Sequence, residues 1–421
     1  MAARRRPDHV ADAAVDLGDG LVLRRATDAD VEAIVGLQTA AFGDSDGPGV
    51  RAHLVGPGAA VGDWTVVADR SGRVVASSAL LDHVLELDGT AVPVGQIEYV
   101  ATDPAFRRRG LVRRQIERHH DEAARRGALA TIIGGIPYFY RRFGYGYGLD
   151  HPALYRPDRA RLAPDPAVRV RAATDADVAA LRALDEALRP ADAVVARRDD
   201  VTWRNHLAAC TPEAWVQLVV AERDGALVGA AGLSVLAPEG ELELVPSMAA
   251  DDGVTDALVA RLVDEAGRRG LRPIAYDVAG TAHGARIVAT GTEVPYGLGL
   301  YVRVPDPARL LDELRPTLSR RLAASRFADL EATIHLSLYD TGVELLLADG
   351  AVHAVRPAPG IEDPFDQLGV GIAPDWVGAL VFGRWGAIGL ADRVDDVTLG
   401  RHAELLEVLF PRLVADVIGV L

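Results

Sequence analysis

Residues suited to chemistry concentrate between Gln96 and Gly146. The run Gln96-Ile97-Glu98-Tyr99-Val100-Ala101-Thr102-Asp103-Pro104-Ala105-Phe106 reads as a buried strand and a turn. It leads into Arg107-Arg108-Arg109-Gly110-Leu111-Val112, the start of a helix expected to end near Arg126. Such a loop aims several backbone N–H groups at one point, where the helix dipole also favours an anion. Gly110 permits the close backbone approach that a pyrophosphate needs. From Arg107 to Arg126 there are eight arginines against three acids. The plain alternative for that segment is a solvated basic helix face. A second cluster, Tyr138-Phe139-Tyr140-Arg141-Arg142-Phe143-Gly144-Tyr145-Gly146, follows.

The elements that must position these residues form a repeat. Leu21-Val22-Leu23 followed by Arg24-Arg25-Ala26-Thr27-Asp28-Ala29-Asp30-Val31 recurs as Val168-Arg169-Val170 followed by Arg171-Ala172-Ala173-Thr174-Asp175-Ala176-Asp177-Val178. In each, Thr or Asp can cap the helix that comes next. Trp64 to Gly72 with Val74-Val75-Ala76 is echoed by Val216 to Gly225 with Leu227-Val228-Gly229, Ser71-Gly72 and Asp224-Gly225 being hairpin turns. Arg125-Arg126-Gly127 and Arg268-Arg269-Gly270 end corresponding helices with glycine at the C-terminal cap. The chain therefore reads as two copies of one α/β unit, residues 21–155 and 167–304, joined by a proline-rich linker from Arg156 to Pro166. Residues 305–421 read as an α+β domain, with one helix from Leu310 to Ala324, strands around Ile334 to Leu338 and Val343 to Leu347, and two later helices. Where the second copy should carry the anion loop, Met248 to Gly267 holds five acids and one arginine. Carboxylates there oppose a pyrophosphate, and no cofactor is expected at that position.

Composition narrows the choice. A chain of 421 residues with 49% hydrophobic and 25% charged residues has a globular balance, and its length suggests roughly two to four domains. No apolar run approaches the ~18–20 residues of a membrane helix. Met1 to Gly20 reads as a frayed tail without the apolar stretch of a secretory signal. Cys210 is the only cysteine, which leaves no intrachain disulfide and no oxidising compartment to invoke. A cytoplasmic location is expected. The 45 basic residues are all arginine, and the net charge of −15 argues against nucleic-acid binding while suiting a cationic small molecule. His119, His120 and Asp121 adjoin on the helix, but adjacent histidines point to different faces. They are expected on its surface, and no metal site is read from them.

The loop Arg107 to Val112 resembles the acetyl-CoA pyrophosphate loop of the GCN5-related N-acetyltransferase (GNAT) superfamily, Arg/Gln-x-x-Gly-x-Gly/Ala. Val112 departs from it at the last position, so its side chain must point away from the cofactor. Tyr140-Arg141-Arg142-Phe143-Gly144-Tyr145 is similar to the superfamily's closing signature. The resemblance implies that Arg107, Arg108, Arg109, Gly110, Leu111 and Val112 hold acetyl-CoA, with the backbone from Glu98 to Val100 on the pantetheine arm. It implies that backbone near Val100 steadies the oxyanion. It also implies that Tyr140 protonates the departing thiolate, for which a phenol of reference pKa about 10 is a sensible donor.

Tandem acetyltransferase units, the second without its loop, followed by a sterol-carrier-like α+β domain, resemble the enhanced-intracellular-survival acetyltransferase family. That likeness implies a hexamer and acetylation of aminoglycoside-like amines. It also implies that the C-terminal carboxylate of Leu421 is the base, with Glu98 as its rival. Asp44 and Asp46, expected in the loop after the first helix beside Gly47-Pro48-Gly49, could face the cationic substrate or simply be solvated. Two other functions stay open: acetylation of protein or peptide amines, and a non-catalytic acyl-CoA or lipid sensor or carrier.

Overall fold

The computed structural model describes residues 14–44, 46–190, 193–210, 215–236, 240–278, 280–295, 299–360 and 369–417. Among them the strands form a ten-stranded, a seven-stranded and a five-stranded sheet. The mixed α/β architecture follows from strands such as Trp64–Ala68, buried throughout and apolar but for Thr65, alternating with helices that bury one stripe.

The ten-stranded sheet runs Val15–Gly18, Leu21–Arg25, Trp64–Ala68, Val74–Leu87, Thr90–Thr102, Ala130–Ile133, Leu300–Arg303 and Gly146–Leu149. Ala193–Ala196 pairs with the far half of Val74–Leu87 and carries Val414–Asp416 in parallel on its other edge. The seven-stranded sheet is built from Gly291–Val294, Leu154–Pro157, Arg272–Tyr276, Glu241–Ala249, Ala226–Leu236, Trp215–Arg223 and Arg169–Ala172. The two sheets exchange strands. Leu154–Pro157 leaves the first half of the chain to pair between Arg272–Tyr276 and Gly291–Val294, and Leu300–Arg303 returns to sit between Ala130–Ile133 and Gly146–Leu149. Arg156 and Pro157, read from sequence as linker, thus lie in a strand.

The two halves share local detail. Thr27 and Asp30 form a capping box, as do Thr174 and Asp177, and each Asp is held by the arginine six residues before it, Arg24 and Arg171. Helix Leu111–Arg125 buries Leu111, Gln115, Ile116, His119, Glu122 and Ala123 against the first sheet. His119, expected on the surface, is therefore in the core. It bonds Ser78 Oγ at 2.8 Å, while His120 contacts the Tyr145 hydroxyl at 2.9 Å.

The five-stranded sheet, Ala351–Pro359, Thr341–Ala348, Ala332–Ser337, Val370–Ile372 and Val397–Thr398, shares one continuous apolar core with Leu85, Leu87, Val92 and Val94 of the first sheet. The single helix expected from Leu310 to Ala324 is two, Pro307–Glu313 and Arg315–Ala323. Pro316, second residue of the later helix, has no N–H to continue the first.

Candidate active site

Strands Thr90–Thr102 and Ala130–Ile133 run parallel and pair only from Val94↔Ala130 to Gln96↔Ile132. Beyond that point the two strands part, and the Glu98 carboxylate reaches across this opening in the ladder to accept from Gly134 N–H. A bulge at Tyr99, whose φ is +56°, shifts the register against Val74–Leu87 between Ser77 and Ala79. The displaced Tyr99 carbonyl accepts from the Gln38 side chain at 2.6 Å, and that buried amide also meets Ser77 Oγ at 2.8 Å. The Tyr99 ring stacks on Trp64 with centroids 5.2 Å apart. Val100, next to the bulge, packs on the cluster containing Tyr140 and Tyr145.

The arginine loop begins where the Asp103 carboxylate accepts from Ala105 N–H and pairs with Arg73. Arg107, Arg108, Arg109 and Gly110 are exposed, Arg108 and Gly110 having φ of +62° and +75°. Gly110 is the N-cap of helix Leu111–Arg125 and has no side chain to occupy the first N–H groups of that helix. Leu111 is buried, and Val112 packs against the tyrosine cluster, where its bulk is accommodated. Backbone N–H groups at a helix start beside exposed arginines suit a pyrophosphate.

At the corresponding helix Asp252–Arg269 the place is filled. Asp251 caps it by accepting from Val254 N–H at 3.0 Å and also binds Arg223 at 2.7 Å. Ala163 N–H donates to Asp256 at 2.7 Å, and a Cβ on Gly253 would stand 2.9 Å from that of Asp165. Carboxylates and the 163–168 segment occupy the space an anion would need.

Tyr140 lies in the short helix Phe139–Phe143 and is only 6% exposed. Its ring meets Phe139 and Tyr301 edge-on, centroids 5.1 and 5.7 Å away. A Cβ placed on Gly135 would lie 3.7 Å from the Tyr140 hydroxyl, so the hydroxyl borders the opening. Burial, with the charges of Glu98 and Tyr301, pushes its pKa up to about 12. Burial also raises the Glu98 carboxyl above the ordinary carboxylate value, opposed by hydrogen bonds from Gln96, Tyr99 N–H and Gly134 N–H. Glu98 and Tyr140 thus face one opening, each biased toward its protonated form.

Asp46 is the first residue of helix Asp46–Val55, and its charge reaches Tyr99, whereas Asp44 is exposed in the preceding turn. The loop expected at Gly47-Pro48-Gly49 is therefore helical. Pro48 falls in the first turn, where a missing N–H costs nothing. Leu421 lies outside the described residues. The nearby strand Val414–Asp416 is fixed by Asp416 on the buried Arg198 at 3.1 Å, with Val417 buried beyond it.

Three residues at the site carried no linear motif, Gln38, His83 and Tyr301, and Gln96 was read in the strand run without a role. Gln96 and Glu98 share a strand face at a spacing of two, a signal that was readable. His83 needed the strand register, and Tyr301 the exchange of strands. Burial lowers both His53 and His83 to about 4, His53 also feeling His83, so both are neutral at physiological pH.

Residues 22–148 match the family model described as the acetyltransferase (GNAT) domain. Over that stretch the chain is similar to GNAT acetyltransferase domains. Solved structures with the same fold extend over nearly its whole length. A GCN5-related N-acetyltransferase from Kribbella flavida is 18% identical at a TM-score of 0.62, covering 94% of this chain and 97% of that one. One from Anabaena variabilis is 13% identical at 0.65, covering 94% and 99%. Eis1 from Mycobacterium abscessus is 18% identical at 0.61, covering 95% and 99%. No curated protein sequence matches the chain. Among the described residues no helix is long and apolar enough to cross a membrane.

Proposed function

We propose that the chain transfers an acetyl group from acetyl-CoA to a primary amine of a cationic, aminoglycoside-like small molecule. The observation that carries this reading is the meeting of Glu98 and Tyr140 at one opening on the sheet, beside a helix start left free by Gly110 and flanked by Arg107, Arg108 and Arg109. The first N–H groups of helix Leu111–Arg125 and the three arginines hold the pyrophosphate, and Glu98 to Val100 align the thioester arm. Glu98 takes a proton from the substrate ammonium, and the freed amine attacks the acetyl carbon. Backbone at the Tyr99 bulge, near Val100, steadies the oxyanion. As the carbon–sulfur bond breaks, Tyr140 gives its proton to sulfur; the attacking nitrogen, positively charged after bond formation, loses its second proton to restore the phenol, and the first proton, held by Glu98, leaves to solvent. A hydroxyl held at about 12 stays protonated and ready throughout the neutral range.

The filled helix start at Asp251–Asp256 supports the second sheet as a copy of the same unit without its cofactor loop. We carry the third sheet as sterol-carrier-like and the assembly as a hexamer on the family likeness alone. The carboxylate of Leu421 stays a rival to Glu98 as base, and deleting the last two residues decides between them.

A thiol-release assay with acetyl-CoA tests the function, using aminoglycosides, simple diamines and lysine-bearing peptides as acceptors. Turnover is expected with the small polycations. Turnover with peptides alone would move the substrate class to protein amines, and no release with any amine would refute acetyl transfer.

A further inference from the structure

His83, Gln96 and Glu98 form a hydrogen-bonded line across two neighbouring strands. The pairing of His83 with Val94 and Leu81 with Gln96 makes His83 and Gln96 diagonal neighbours on one face. Gln96 Nε2 lies 2.9 Å from Glu98 Oε1, and His83 Nε2 lies 2.8 Å from Gln96 Oε1. A carboxylate only accepts, so the amide nitrogen of Gln96 must face it. That leaves the amide oxygen toward His83, and His83 must donate from Nε2. The direction of the whole line is set by the one ring proton at its end.

We propose that His83 is a positioning residue for the acceptor base: its Nε2–H locks the side-chain amide of Gln96, and Gln96 in turn orients the Glu98 carboxylate. The inference rests on the reading of Glu98 as the base. Without the ring donor, the Gln96 amide is free to turn over and set its carbonyl oxygen against Glu98. Two acceptors in contact force Glu98 to take up a proton, which disables it as a base near neutral pH. The other groups facing the line are fixed in sign. Tyr140, on the short helix, and Tyr99, on the strand of Glu98, are neutral phenols. Gly134 N–H donates to Glu98 from the opposite side. Helix Asp46–Val55 brings His53, which is neutral, and Asp46, whose charge is felt at Tyr99. None of these supplies the donor that His83 gives to Gln96.

The test compares His83→Leu and His83→Gln in the full chain. Glutamine can place an amide N–H near the position of Nε2, and leucine cannot. Two readouts are taken: the acid limb of kcat/KM for acetyl transfer, and the titration of Glu98 followed as an infrared carboxyl difference against Glu98→Gln, which needs no turnover. His83→Leu is expected to move both to higher pH by about one unit, the scale of one hydrogen bond to a charged group. His83→Gln is expected to restore both. An unmoved Glu98 titration in His83→Leu overturns the proposal, as does a shift that His83→Gln fails to reverse. A shifted titration with an unmoved acid limb supports the positioning role and refutes Glu98 as the base. Acetyl-CoA affinity, equal in all three proteins, checks that the fold is intact.

Discussion

Removing one hydroxyl from the exchanged strand should disable Tyr140, the proposed general acid, without touching the arginine loop. Tyr301 is fully buried. Its hydroxyl accepts from Tyr138 N–H at 2.5 Å and donates to the Tyr147 hydroxyl at 2.7 Å, while its ring stacks on Tyr147 at 4.2 Å. Tyr138 is the N-cap of the short helix that carries Tyr140, and it holds a left-handed backbone with φ of +69°. That conformation costs a non-glycine residue ~1–2 kcal/mol, and the bond to Tyr301 offsets it. In Tyr301→Phe the ring remains, so packing is kept, but the Tyr138 N–H loses its acceptor at a cost of ~1 kcal/mol. Relaxation of Tyr138 would carry the Tyr140 hydroxyl away from the opening. The expected result is a loss of about 1–2 kcal/mol in urea unfolding together with a fall of about tenfold or more in kcat, at unchanged KM for acetyl-CoA. Steady-state kinetics with varied acetyl-CoA and equilibrium unfolding read the two effects. A loss of stability with unchanged kcat would refute the claim that Tyr301 positions Tyr140.

Tyr140→Phe should lower kcat by about 10²–10⁴-fold, the range for a general acid. With its pKa pushed up to about 12, the wild-type phenol should give no basic limb of its own to the rate profile below that pH. Burial would raise the Glu122 carboxyl, but hydrogen bonds from Arg126 and Arg25 hold it down to about 2. A depressed carboxylate stabilises above its unfolded value and loses that contribution as pH falls toward 2, so Glu122→Gln should flatten the acid arm of a stability–pH curve measured by thermal melts. Asp416→Ala should cost about 1–3 kcal/mol in unfolding, because it removes one hydrogen-bonded carboxylate from the buried Arg198 while Asp185 stays paired at 2.9 Å.

The strand, turn and helix start that carry Glu98 and the arginine loop were legible because each depends on near neighbours in sequence. The filled helix start at Asp251–Asp256 was legible from charge alone. His119 was misread as exposed, although Leu111, Gln115, Ile116, His119 and Ala123 fall on one helical stripe. Gly47-Pro48-Gly49 was misread because its composition favours turns, whereas packing against helix Val31–Phe42 and a proline-tolerant first turn favour a helix. Tyr301 and His83 were out of reach. One arrives by a strand exchange that leaves no local pattern, and the other becomes a neighbour of Gln96 only once the strand register is known.

The proposed acetyl transfer requires that acetyl-CoA bind at the helix start after Gly110 and not at the one after Asp251. Isothermal titration of the full chain with acetyl-CoA should give one site per chain, lost when Arg107, Arg108 and Arg109 are all changed to alanine and retained when Asp251 is changed to alanine. Two sites per chain, or one that survives the triple substitution, would contradict it.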